Sequence, residues 1–106
     1  MSLKSREQLK ETYEIILSET AIDSFEAIFD QIQARWGDRI ATKFENKVTG
    51  TLALLAKRPL IFKSIEAQSN VRKGFIDKNC SFFYEISSEQ VQILFFWDNR
   101  QEPLFE

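Results

Sequence analysis

Residues 71–103 read VRKGFIDKNCSFFYEISSEQVQILFFWDNRQEP, and this stretch decides the fold. Three runs rich in β-branched and aromatic residues, Val71 to Ile76, Ser81 to Ile86 and Val91 to Trp97, are separated by two short polar clusters, Asp77-Lys78-Asn79-Cys80 and Ser87-Ser88-Glu89-Gln90. The pattern predicts three antiparallel strands joined by tight turns. In the second run Phe82, Tyr84 and Ile86 share one face, and Ser81, Phe83 and Glu85 the other. The third run is apolar on both faces, Val91, Ile93, Phe95 and Trp97 against Leu94 and Phe96, which predicts a central strand. Phe83, Leu94 and Phe96 are then expected to leave an apolar patch on the second sheet face, a surface of the kind that binds partners. Gly74 breaks the first run and predicts a bulge or a close backbone approach.

Working outward, Thr12 to Leu17 alternates as a strand, with Tyr13, Ile15 and Leu17 on one face. Ser18 offers a helix N-cap with Glu19 behind it, favourable for the helix dipole. Ala21, Phe25, Ile28, Phe29, Ile32 and Trp36 then form a helical stripe that ends at Gly37, a residue suited to a left-handed cap. Asp38 is expected to cap a second helix with the stripe Ala41, Phe44, Val48, Leu52 and Leu55, closed by Arg58-Pro59. Gly50 weakens that helix unless it allows close packing on the first. The short link at Gly37-Asp38 makes the two an antiparallel hairpin. Leu60 to Asn70 has no period and reads as a loop. The fold class is therefore α+β: a two-layer β-α-α-β-β-β domain over residues 1–106, an antiparallel sheet packed by an antiparallel helix hairpin. Residues 1–11 form a lead-in and 98–106 a polar tail.

Composition limits the chemistry. The chain has 106 residues, ten of them Phe, and a net charge of −2, so it lacks the basic surplus usual in phosphate-gripping proteins. There is no His, which removes the usual general base and every His-activated nucleophile. With one Cys and no His, neither a metal site nor a cofactor is expected. The single Cys80 cannot form an internal disulfide, and no signal-peptide core or membrane-spanning stretch is legible, so a cytoplasmic location is expected.

YEIILSETAIDSFEAIFDQI resembles the strand-to-helix opening of the RelE/ParE superfamily of type II toxin–antitoxin toxins. LALLAKRP is similar to the end of that family's second helix, and NVRKGFI, SFFYEI and VQILFFWDNRQEP resemble its closing strands. The ending WDNRQ-x-P is the most specific piece and is similar to the plasmid-stabilisation branch. The resemblance spans roughly Thr12 to Pro103. It implies a small toxin silenced by a cognate antitoxin that lays a helix or strand on the apolar sheet face or the helix groove. RelE-like members cut mRNA in the ribosome, and ParE-like members inhibit DNA gyrase.

Carried across by residue, Arg72 falls where RelE-like members place a basic residue, and Arg100 falls close to their C-terminal catalytic Arg. Both would act by stabilising charge in phosphoryl transfer. Gly74 and Ser81 stand where further basic residues are expected, and the late Tyr has no counterpart. That pattern favours gyrase-type target binding, with a metal-independent endoribonuclease and a non-toxic interaction domain as alternatives. Lys73, Tyr84, Phe96, Trp97, Asn99 and Gln101 are the candidate contact residues. Asp98 and Glu102 read as strand-end and turn residues more than as a catalytic carboxylate pair.

Overall fold

The computed structural model describes residues 12–101, so the lead-in 1–11 and the end 102–106, with Glu102 and the Pro of the WDNRQ-x-P ending, lie outside the described residues. The order is β1 (Glu14–Leu17), α1 (Glu19–Trp36), α2 (Asp38–Lys57), β2 (Val71–Asp77), β3 (Cys80–Ser87) and β4 (Gln90–Asp98). The sheet runs β1-β4-β3-β2. The two meander pairings are antiparallel as expected, whereas β1 joins β4 in parallel, Glu14 beside Gln90 through Leu17 beside Ile93. The sheet is therefore mixed, not wholly antiparallel. Parallel neighbours need a long connection, and here the whole helix hairpin and meander lie between β1 and β4.

Ser18 caps α1 as expected: its Oγ accepts from the Ala21 N–H at 2.9 Å. Gly37 ends α1 at φ 94°, a backbone conformation that favours glycine. It also takes the N-cap position of α2, which makes Asp38 the first helical residue rather than the cap. Asp38 instead accepts from Gln33 Nε2 at 2.9 Å across the hairpin. Gly50 leaves open space on its side-chain side, so it does not serve close helix packing.

The core lies between the hairpin and one sheet face. Ala21, Ile28, Phe44, Val48 and Leu55 pack from the helices onto Phe82, Tyr84, Val91, Ile93 and Phe96 from the sheet. Gly74 makes the close approach its position predicts: a Cβ there would sit 2.3 Å from Phe82 Cζ and 2.9 Å from Phe62 Cδ2.

β4 carries a bulge that alters its faces. Phe83 pairs with Phe95 and Tyr84 with Ile93, so Leu94 is the extra residue. Alternation changes phase there, and Phe96 joins Val91 and Ile93 on the helix side, 3% exposed, with Phe25 edge-on at 5.9 Å. The expectation that Phe96 lies on the second face is thus corrected. Phe95 takes that place and stacks on the buried Phe83 at 4.7 Å. The backbone groups freed at the bulge are met by α1 and its cap. Ser18 Oγ donates to the Leu94 carbonyl at 2.7 Å, and the Phe96 N–H donates to Ser24 Oγ at 2.9 Å.

Candidate functional site

The eight residues singled out from sequence do not form one site. Arg72 pairs across β2 and β3 with Tyr84 on the helix side of the sheet. Its Nη1 donates to the Phe62 carbonyl at 2.6 Å, and Ser64 bridges to its backbone, so the 62–65 segment lies along this edge. Tyr84 is fully buried, and its hydroxyl donates to the Pro59 carbonyl at 2.8 Å. Burial raises its pKa, outweighing the nearby Arg72 that favours ionisation. A buried phenol spent on a carbonyl is a clamp for the loop after α2, not an accessible acid or base. Lys73 points the other way, over the Phe75 and Phe83 rings at 5.4 and 5.8 Å.

Arg100 belongs to the opposite end of the meander. Asp98 pairs with Cys80, and Arg100 folds back onto Asp98, Nε to Oδ1 at 2.9 Å and Nη2 to Oδ2 at 2.7 Å. The Arg100 side-chain hydrogen bonds come first in holding the Asp98 carboxyl below its ordinary range, against the opposing effect of burial. Between Tyr84 and Cys80 lies about 13 Å of strand at ~3.3 Å per residue, so the two arginines stand at different ends of the meander, each held by its own acceptor.

Asn99 and Gln101 are turn residues. Asn99 Oδ1 accepts from Ser81 Oγ at 2.9 Å, its Nδ2 donates to the Lys78 carbonyl at 3.3 Å, and its N–H donates to the Asn79 carbonyl at 2.8 Å. The tail therefore begins as a turn tied to the β2–β3 turn. Gln101 donates its N–H to the Asp98 carbonyl at 3.0 Å. Trp97 pairs with Ser81 and is half-buried. Its indole Nε1 is buried without a hydrogen-bond partner. Among the described residues no cluster of His, Cys, Asp and Glu is arranged to hold a metal, and no helix is long and apolar enough to cross a membrane.

What the structure does assemble is a cleft of about 250 Å³ at the tip of the helix hairpin. Ile28, Ile32 and Phe44 form its inner wall, Trp36 and Ile40 its lip, and the β2–β3 turn with the end of β4 its polar side. Trp36 is 59% exposed and Ile40 42% exposed. The α1 stripe predicted an inward Trp36. It is exposed because it is the last residue of α1, where polar turn residues face the helix in place of the aromatic core. On the polar side, Asp77 Oδ1 accepts from the Asn79 N–H at 2.8 Å and Oδ2 lies 3.5 Å from Lys47 Nζ. Cys80 lies behind these carboxylates. Burial first, then Asp77 and Asp98, push its thiol up to about 12, which leaves it protonated and unreactive. Sequence reasoning missed the cleft because its parts come from five elements, α1, α2, β2, β3 and β4, and of its lining the sequence marked only Arg100 as a candidate site residue.

Residues 15–103 match the family described as the ParE toxin of the type II toxin–antitoxin system parDE. The chain belongs to the ParE toxin family. Among solved structures it is similar to the chromosomal ParDE toxin–antitoxin system from P. aeruginosa, with TM-score 0.72 and 16% identity, covering 83% of this chain and 97% of that one. It is also similar to the E. coli DinJ-YafQ toxin–antitoxin complex, with TM-score 0.56, 14% identity and coverage of 84% and 94%. The YoeB dimer from Staphylococcus aureus follows at TM-score 0.52, 14% identity and coverage of 79% and 93%. At these identities the likeness shows the shared fold. No curated protein sequence matches the chain significantly.

Proposed function

We propose that this ParE-family toxin acts by binding a macromolecular target, with DNA gyrase the favoured one, rather than by cutting RNA, and that a cognate antitoxin silences it. The observation that carries this reading is the separation of the basic residues. Charge stabilisation in phosphoryl transfer needs cationic donors within hydrogen-bond reach of one phosphate. Here Arg72 donates to the Phe62 carbonyl at one end of the meander, and Arg100 holds Asp98 with two of its donors at the other. Tyr84 is sealed in the core, and the chain has no His to move a proton. Membership of the ParE family supports gyrase as the target, because ParE-like members of the superfamily inhibit it. The antitoxin partner is supported by the family's type II system.

The test is a supercoiling reaction with purified gyrase and relaxed plasmid. Added toxin is expected to stop supercoiling, and antitoxin added first is expected to restore it. Full supercoiling in the presence of a toxin preparation that arrests growth would remove gyrase as the target.

A further inference from the structure

We infer that the hairpin-tip cleft is the seat for a segment of the antitoxin that carries a large apolar side chain flanked by carboxylates. This rests on the reading of the chain as an antitoxin-silenced toxin and adds the place and the chemistry of the contact. At about 250 Å³ the cleft lies below the ~300–1,000 Å³ range of small-molecule sites. That volume suits one or two side chains of a docking segment. Its lip is an exposed Trp, with the Arg35 guanidinium 5.9 Å from the Trp36 ring. Trp and Arg are the residue types that carry most binding energy at protein interfaces.

The charge at the mouth selects the partner. The carboxylates on the wall are already satisfied, Asp98 by Arg100 and Asp77 by the Asn79 N–H and Lys47. Lys43 has no ion-pair partner among the described residues and lines the cleft. The Arg100 side chain, 41% exposed, spends two donors on Asp98 and keeps others for a ligand. The available charge is therefore positive on a chain of net charge −2. A neutral or basic apolar segment gains nothing from this rim, whereas an acidic one is steered onto it.

The experiment measures the affinity of the full-length toxin for the antitoxin encoded beside it, by calorimetry at low and high salt. Trp36→Ala is expected to weaken binding by at least about tenfold. Lys43→Glu is expected to weaken it several-fold at low salt and much less at high salt. Both side chains are exposed, so circular dichroism is expected to show the wild-type fold. Ile22→Ala, an exposed apolar site near the other end of α1, is the control expected to bind as wild type does. Wild-type affinity in both cleft variants, with the toxin still neutralised, would overturn the inference and leave the toxin reading standing. Weakened self-association in Trp36→Ala with antitoxin affinity intact would give the cleft to a second copy of the chain and also overturn it. A wild-type chain that binds no antitoxin removes the inference together with the reading beneath it.

Discussion

β3 ends in two different surroundings. At its Tyr84 end the sheet is closed: the phenol is clamped to Pro59, Arg72 to Phe62, and the rings of Phe62, Phe82 and Tyr84 pack at 5.6 to 6.5 Å. At its Cys80 end the hairpin stands off the β2–β3 turn, and Trp36 and Ile40 are left exposed beside paired carboxylates. Polar groups at the closed end satisfy buried backbone and hold the loop. Polar groups at the open end fix the shape of a cleft and leave cationic donors facing outward. A residue's type therefore says little here until its end of the sheet is known.

The largest expected contrast is between two aromatic truncations. Phe82→Ala empties the closed end and is expected to cost about 3–5 kcal/mol in denaturant unfolding, whereas Trp36→Ala at the open end is expected to stay within about 0.5 kcal/mol. A comparable loss in both would erase the distinction. Gly74→Ala drives a Cβ into the Phe82 ring and is expected to cost about 1–3 kcal/mol by overpacking. Unchanged thermal unfolding would show that Phe82 has room to move. Tyr84→Phe leaves the Pro59 carbonyl without its donor and is expected to cost about 1–2 kcal/mol, readable in the same unfolding curves.

The smallest effect sharpens the open end. Asp98 titrates below its ordinary value in the folded chain, so its contribution is complete above the unfolded pKa of about 3.9 and is lost as pH falls through the lower folded value. The wild-type melting temperature is expected to fall more steeply below about pH 4 than that of Asp98→Asn. Equal slopes would show that the Arg100 pair adds nothing.

The elements were legible because their signals are local. Ser18, Gly37, the two helical stripes and the turn clusters each specify a start, a stop or a face within a few residues. Gly74 also announced its close approach. The failures arise where one distant contact changes the answer. The Leu94 bulge, supported by Ser18 and Ser24 from a segment some seventy residues earlier in the chain, turns Phe96 inward and Phe95 outward. A one-residue shift reverses a strand's faces, and no alternation rule applied to β4 alone could place it. β1's parallel place beside β4 was hidden for the same reason. Arg72 and Arg100 were paired by family pattern, yet register places them apart. Trp36 continued a good stripe past the point where the sheet offered a core to meet it.

The account's central claim, action by binding and not by RNA cleavage, is tested most directly by inducing the toxin alone in bacteria and mapping RNA 5′ ends across cellular messages as growth stops. The account predicts arrest with no new 5′ ends. New cleavage sites that vanish in the Arg72→Ala, Arg100→Ala double variant would contradict it.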